Sequence, residues 1–86
     1  MKHALDRLKH SIHDLLRDKS FLDQCKHLAP AEIAALAAAH FNARKLPVRV
    51  IEVTPLAPDQ ECKYCVSYEL EDTGEMKAQR FFRRAI

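Results

Sequence analysis

The sequence predicts an α+β fold: about three N-terminal helices followed by a three-stranded antiparallel meander. Three observations carry this. Apolar residues recur at spacings of three and four up to about residue 45 and at alternate positions after it, the marks of helix and then strand. Pro47 and Pro55 bracket the β-branched run "VRVIEVT" (48–54), which suits a strand. The only glycine, Gly74, lies between two strand-like runs, where a hairpin needs a residue free to take a positive φ.

In the first helix, about residues 3–17, Leu5, Leu8, Ile12, Leu15 and Leu16 form one apolar stripe. Ser20 followed by Asp23 resembles a capping box. It opens a short second helix, about 20–28, that turns Phe21, Leu22, Cys25 and Leu28 toward the core. Pro30 suits the first turn of a third helix, about 30–44, because an N–H at that position has no partner within the helix. Ile33, Leu36, Ala37 and Phe41 share a face of it. Its alanines raise helix propensity and let a neighbour approach closely. Pro47 ends any continuation.

In the second half, "PLAPDQ" (55–60) is a loop and "CKYCVSYEL" and "MKAQRFF" flank "EDTGE". A three-residue hairpin loop, Asp72-Thr73-Gly74, is expected, with Gly74 in the left-handed position of a G1 bulge. That loop pairs Glu71 with Glu75, Leu70 with Met76, Glu69 with Lys77, Cys65 with Phe81 and Tyr64 with Phe82. One face then reads Tyr64, Val66, Tyr68, Leu70, Met76, Ala78 and Phe82. The other carries Lys63, Cys65, Ser67, Glu69, Lys77 and Gln79, with Phe81 among them and an ion pair between Glu69 and Lys77. A two-residue loop would mix the two faces.

At 86 residues, 48% apolar and 30% charged, the chain is an ordinary globular domain, too short for two cores. It is small enough that a metal staple or a second copy would help it fold. A small chain also leaves little room for a deep pocket, which disfavours an enzyme. The formal charge of +2 is too small to imply a nucleic acid or membrane partner. Residues 1–45 hold eight Lys/Arg against five Asp/Glu, and residues 46–86 hold six against seven, so the excess is at the front. The first residues lack the apolar core and small-residue cleavage site of a secretion signal, and no apolar stretch is long enough to span a membrane. Three cysteines, an odd number, then read as free thiols in a cytoplasmic protein; a bacterial type is a general impression that no residue carries.

Four features could carry chemistry. Cys25, His27, Cys62 and Cys65 supply three thiolates and an imidazole, a sufficient set for structural zinc. Against this, "ECKYCV" has no Gly or Pro to turn a knuckle, and in a strand Cys62 and Cys65 point to opposite faces. The same geometry argues against a redox pair, which belongs at a helix N-terminus. His10 and His13, near Asp6 and Asp14, read as a solvated helix face with i,i+4 pairs, and His40 as a boundary residue beside Phe41. The segment "QRFFRR" could hold phosphates and stack bases through Arg80, Phe81, Arg83 and Arg84, joined by Arg44, Lys45 and Arg49. The acidic hairpin (Glu69, Glu71, Asp72, Glu75) would repel a polyanion. There is no phosphate-cradling glycine loop and no motif that pairs a nucleophile with a base.

Protein binding has positive support. Strand 48–54 offers Val48 and Val50 on one face and Ile51 and Val53 on the other, so its apolar surface exceeds what one core absorbs. The sheet is also polarised, with acid at 69–75 and base (Lys63, Arg83, Arg84) at the opposite end, which suits steering to a complementary partner. The expected function is therefore a non-enzymatic protein-binding module without cofactor: an adaptor, inhibitor or regulatory subunit, and a candidate homodimer. Its contacts would be Val48, Val50, Ile51, Val53, Glu69, Glu71, Asp72 and Glu75. Nucleic-acid binding through the C-terminal strand is the alternative, and a zinc-stapled domain the third.

Overall fold

A computed structural model describes residues 4–84, with side chains from Arg7 onward. The order is α1 (Ala4–Arg17), α2 (Lys19–Cys25), α3 (Pro30–Ala43), β1 (Val48–Pro55), β2 (Cys62–Leu70) and β3 (Met76–Arg83). The strands form one antiparallel sheet in the order β1-β2-β3. Helices followed by a meander is the α+β arrangement expected from the periodicities. Leu5 and Asp6 fall outside the described side chains, but the rest of the α1 stripe is buried, with Ile12 and Leu15 each 1% exposed.

The cap of α2 differs from expectation. Asp18, not Ser20, is its N-cap, and the Asp18 carboxylate accepts from the Phe21 N–H at 2.9 Å. Asp18 N–H also bonds the Leu15 carbonyl at 3.0 Å, so one residue closes α1 and opens α2. Pro30 begins α3 as expected, and the Glu32 carboxylate accepts from the Ala29 N–H at 2.8 Å. At its other end Leu46 N–H reaches the Phe41 carbonyl and Lys45 N–H the Asn42 carbonyl, both at 3.0 Å. This is a Schellman motif in which Lys45 (φ 57°) takes the left-handed position usually left to glycine.

Two irregularities set the faces of the sheet. The first is a β-bulge in β1, where the register shifts between Val50 and Glu52. Val48 pairs with Leu70, Val50 with Tyr68 and Val53 with Val66. The bulge breaks the alternation at Ile51, so all three valines lie on the helix-covered face. Val48 and Val53 are 4% and 5% exposed and Val50 packs against the core, while Ile51 stays 43% exposed. The expected second apolar face is thus one residue. Without the bulge Val53 would face solvent, and burying a valine is worth about 1.5–3 kcal/mol.

The second is the hairpin. Tyr64 pairs with Phe81, Val66 with Gln79, Ser67 with Ala78 and Glu69 with Met76, one residue away from the expected register. Leu70 N–H bonds the Glu75 carbonyl at 2.9 Å, and Gly74 N–H bonds the Leu70 carbonyl at 2.7 Å. The loop is therefore four residues, Glu71–Gly74, although Gly74 is left-handed as expected (φ 73°). This register places Phe81 on the core face (4% exposed) and turns Met76 out (59% exposed). Phe81 lies 6.2 Å from Phe21 and 5.8 Å from Tyr64, ring centre to ring centre. A buried aromatic outweighs a methionine and an alanine, and that selects the register. Lys77 and Gln79 tolerate the helix face because on an edge strand their stems reach water.

Phe82 would then face outward, but it has φ 63° and leaves the ladder, so two consecutive phenylalanines are buried. Its ring packs edge-on against Tyr64, with Lys63 Nζ 4.5 Å above its centre. The cap assignment has a direct check in thermal unfolding. Asp18→Ala should lower stability by about 1 kcal/mol, whereas Ser20→Ala should change it by less than about 0.5.

Candidate functional site

The four candidate zinc ligands are not brought together. Cys25 is fully buried in α2 and His27 is exposed just after it. Cys62 pairs with Arg83, and Cys65 with Thr54 and Arg80. Being three apart on one strand, the two point to opposite faces. Among the described residues no group of three or more His, Cys, Asp or Glu is placed to hold a metal ion. His10 and His13 are exposed on α1. His40 lies at the core boundary with its ring 5.8 Å from Phe21, edge to face.

The basic C-terminal segment is divided. Phe81 is core rather than an exposed stacking platform. Arg84 is a clasp: its Nε donates to the Gln60 carbonyl at 2.9 Å and its Nη2 to the carbonyls of Leu56 and Ala57 at 3.2 and 3.0 Å. It ties the chain's end to the 55–60 loop and has few donors left for a ligand. Arg80 and Arg83 remain exposed. Around a cleft of about 400 Å³ they are joined by Arg17 and His13 from α1, which no local motif associates with them. No local pattern links residue 17 to residue 83; only the packing of α1 over β3 does.

Of the expected partner contacts, Val48, Val50 and Val53 belong to the core, and Ile51 is the member left accessible. Glu71, Asp72 and Glu75 are exposed at the hairpin, as expected. Glu69 pairs with Arg49 across the outer face at 2.8 Å instead of with Lys77, which meets Glu75 at 3.5 Å. The shifted register accounts for this, because Glu69 now sits opposite both Arg49 and Met76.

Both edges of the sheet can be compared through their backbone groups. In an antiparallel ladder hydrogen-bonded pairs alternate with pairs whose N–H and C=O point away. Since Leu70 and Glu75 are bonded, Lys77, Gln79 and Phe81 also turn toward β2. Met76, Ala78 and Arg80 therefore present their backbone groups to the free edge of β3. The Gln79 side-chain amide donates to the Arg80 carbonyl at 3.2 Å; no other hydrogen bond among the described residues engages these groups. The β1 edge is blunted by its bulge, by Pro55 and by the Val48 N–H bonding Leu46 at 2.8 Å. Of the two edges, β3 is the regular one.

Burial also sets the thiol chemistry. With no exposed surface, Cys25 has its thiol pushed from 9.0 up to about 11 by loss of water around the thiolate. The folded protein thus holds this proton more tightly than the unfolded chain does. Its contribution to stability is complete below pH 9.0 and is lost as pH rises toward about 11. Stability should fall across that range, and Cys25→Ala should flatten the part of the fall below 10.0, the ordinary value of the tyrosine Tyr68, which burial also raises. An equal slope in the variant would remove Cys25 as the cause.

No helix among the described residues is long and apolar enough to cross a membrane. Comparison of the chain with protein-family models, with curated proteins and with solved structures finds no match.

Proposed function

We propose that the protein is a small, non-enzymatic, cytoplasmic binding module that docks an extended segment of a partner along the free edge of β3. It would serve as an adaptor, inhibitor or regulatory subunit. The observation that carries this reading is the run of outward backbone groups at Met76, Ala78 and Arg80, on an edge with neither bulge nor proline over that span. Such an edge offers main-chain hydrogen bonds to an added strand. Exposed Met76 supplies an apolar contact beside it.

Charge gives the added strand a direction. The hairpin end of β3 carries Glu71, Asp72 and Glu75, and its far end carries Arg80 and Arg83. A complementary partner presents base to the hairpin and acid to the far end. A second copy does this when its β3 pairs antiparallel about Ala78. Met76 then faces Arg80 of the other copy, Lys77 faces Gln79, and each acidic hairpin meets a basic end.

Ala78→Pro tests the edge, because it removes the central outward donor and leaves the ladder to β2 intact. The variant should stay folded and lose, by tenfold or more, both self-association in light scattering and any partner captured from host extract. The second-copy arrangement has its own signature. Glu71→Lys/Asp72→Lys and Arg80→Glu/Arg83→Glu should each weaken the dimer, and mixing the two should restore it as a heterodimer. Binding that ignores Ala78→Pro would end the edge reading.

Nucleic-acid binding is the second reading, favoured by the exposed Arg80 and Arg83 with Arg17 beside them. It would show affinity falling steeply with salt and indifferent to Ala78→Pro.

A further inference from the structure

The geometry points to a second site that shares Arg83 with the basic end of the β3 edge: we infer that the cleft between α1 and the far end of β3 binds a small organic anion with an apolar or planar body. Its volume, about 400 Å³, lies at the lower end for small-ligand sites. Its depth is apolar, with Leu16, Phe81 and Phe82 buried and Leu22 half-buried. Its mouth is cationic, with Arg17 and Arg83 exposed around it beside His13, while Arg80 borders it from β3 with its side chain on the outer face of the sheet. No carboxylate lines it.

The state of the arginines sharpens the inference. Arg49 is spent on Glu69, and Arg84 on three backbone carbonyls. Among the described residues, none of Arg17, Arg80 and Arg83 has a carboxylate within 4.0 Å. Arg80 has only the Gln60 side-chain oxygen, at 3.5 Å. Arg17 and Arg83 bring like charge from two elements to one cleft, and an anion there can be held by both. Guanidinium groups fork onto carboxylate or phosphate oxygens, and the low-dielectric wall of phenylalanine and leucine concentrates their field.

The apolar lining makes a bare ion a poor fit, since a phosphate would leave the half-buried Leu22 and the rim of Phe82 uncovered. The cationic mouth excludes a neutral body. Two ligand sources share the required chemistry: a nucleoside monophosphate, with a planar base over Leu22 and the rim of Phe82, and a medium-chain carboxylate, with its chain along Leu22.

Nuclear magnetic resonance titration of the full chain with adenosine monophosphate, decanoate, inorganic phosphate and adenosine tests this. Adenosine monophosphate or decanoate should bind saturably, with shifts confined to His13, Arg17 and residues 79–83, and the tighter of the two identifies the source. Phosphate and adenosine should bind at least tenfold more weakly than the tighter ligand. Arg17→Ala and Arg83→Ala should each weaken binding about tenfold or more, and Arg49→Ala should not. Any of four results overturns the inference: neither amphipathic anion binds; phosphate alone binds as well; Arg17→Ala has no effect; or affinity for a single-stranded oligonucleotide climbs with length past the mononucleotide.

Discussion

The burial of Phe81 against Phe21 and Tyr64 fixes more of this molecule than any other contact. Phe81 can reach the core only if β3 pairs with β2 in the register that sets it opposite Tyr64. That register requires a four-residue loop, which in turn places Gly74 where a left-handed φ closes the hairpin. It sends Met76, Ala78 and Arg80 to the outer face and aims their backbone groups away from β2. It also brings the end of β3 beneath Leu16 and Arg17. Both the open edge and the cationic cleft are thus consequences of where one aromatic ring is buried.

The protein accepts local strain to keep this arrangement. Phe82 and Lys45 both adopt left-handed conformations, which cost a residue with a side chain about 1–3 kcal/mol each. At Phe82 the return is a second buried ring, capped by Lys63. At Lys45 it is a tight exit from α3 that delivers Val48 directly into β1. The β1 bulge works to the same end without a left-handed residue. It exposes Ile51 and in exchange keeps three valines on one face, leaving an edge poorly suited to pairing.

Charges follow the same division. On the outer face Arg49 and Glu69 neutralise each other across β1 and β2, and near the loop Lys77 meets Glu75. Such exposed pairs contribute little to stability; what they do is quiet the middle of the sheet. The unpaired charge collects at its two ends, acid at the hairpin and arginine at the cleft. β3 therefore joins two regions of opposite sign, and a ligand or strand that engages one meets a different chemistry at the other.

The α+β class, all six elements to within about three residues, the left-handed glycine and the opposed sulfurs of Cys62 and Cys65 are legible in the amino-acid order alone. These rest on short-range effects: periodicity, proline, and the strict alternation of a strand. The acidic hairpin is legible there too, because a charged loop tip stays in water whatever the register. The rest depends on long-range packing. Alternation could not reveal that "VRVIEV" carries a bulge, nor that "RFF" buries both rings, because each breaks the period for the sake of burial elsewhere. Ser20 and Asp18 are both good caps, and the choice between them depends on where α1 must stop to meet the sheet. Arg84 looked like a phosphate ligand and is a clasp, since its carbonyl partners lie 24 to 28 residues away. Arg17 and Arg83 share a cleft across 66 positions of sequence. A one-residue choice of register, worth little in local propensity, is settled by the summed burial of the core, which no local stretch of sequence displays.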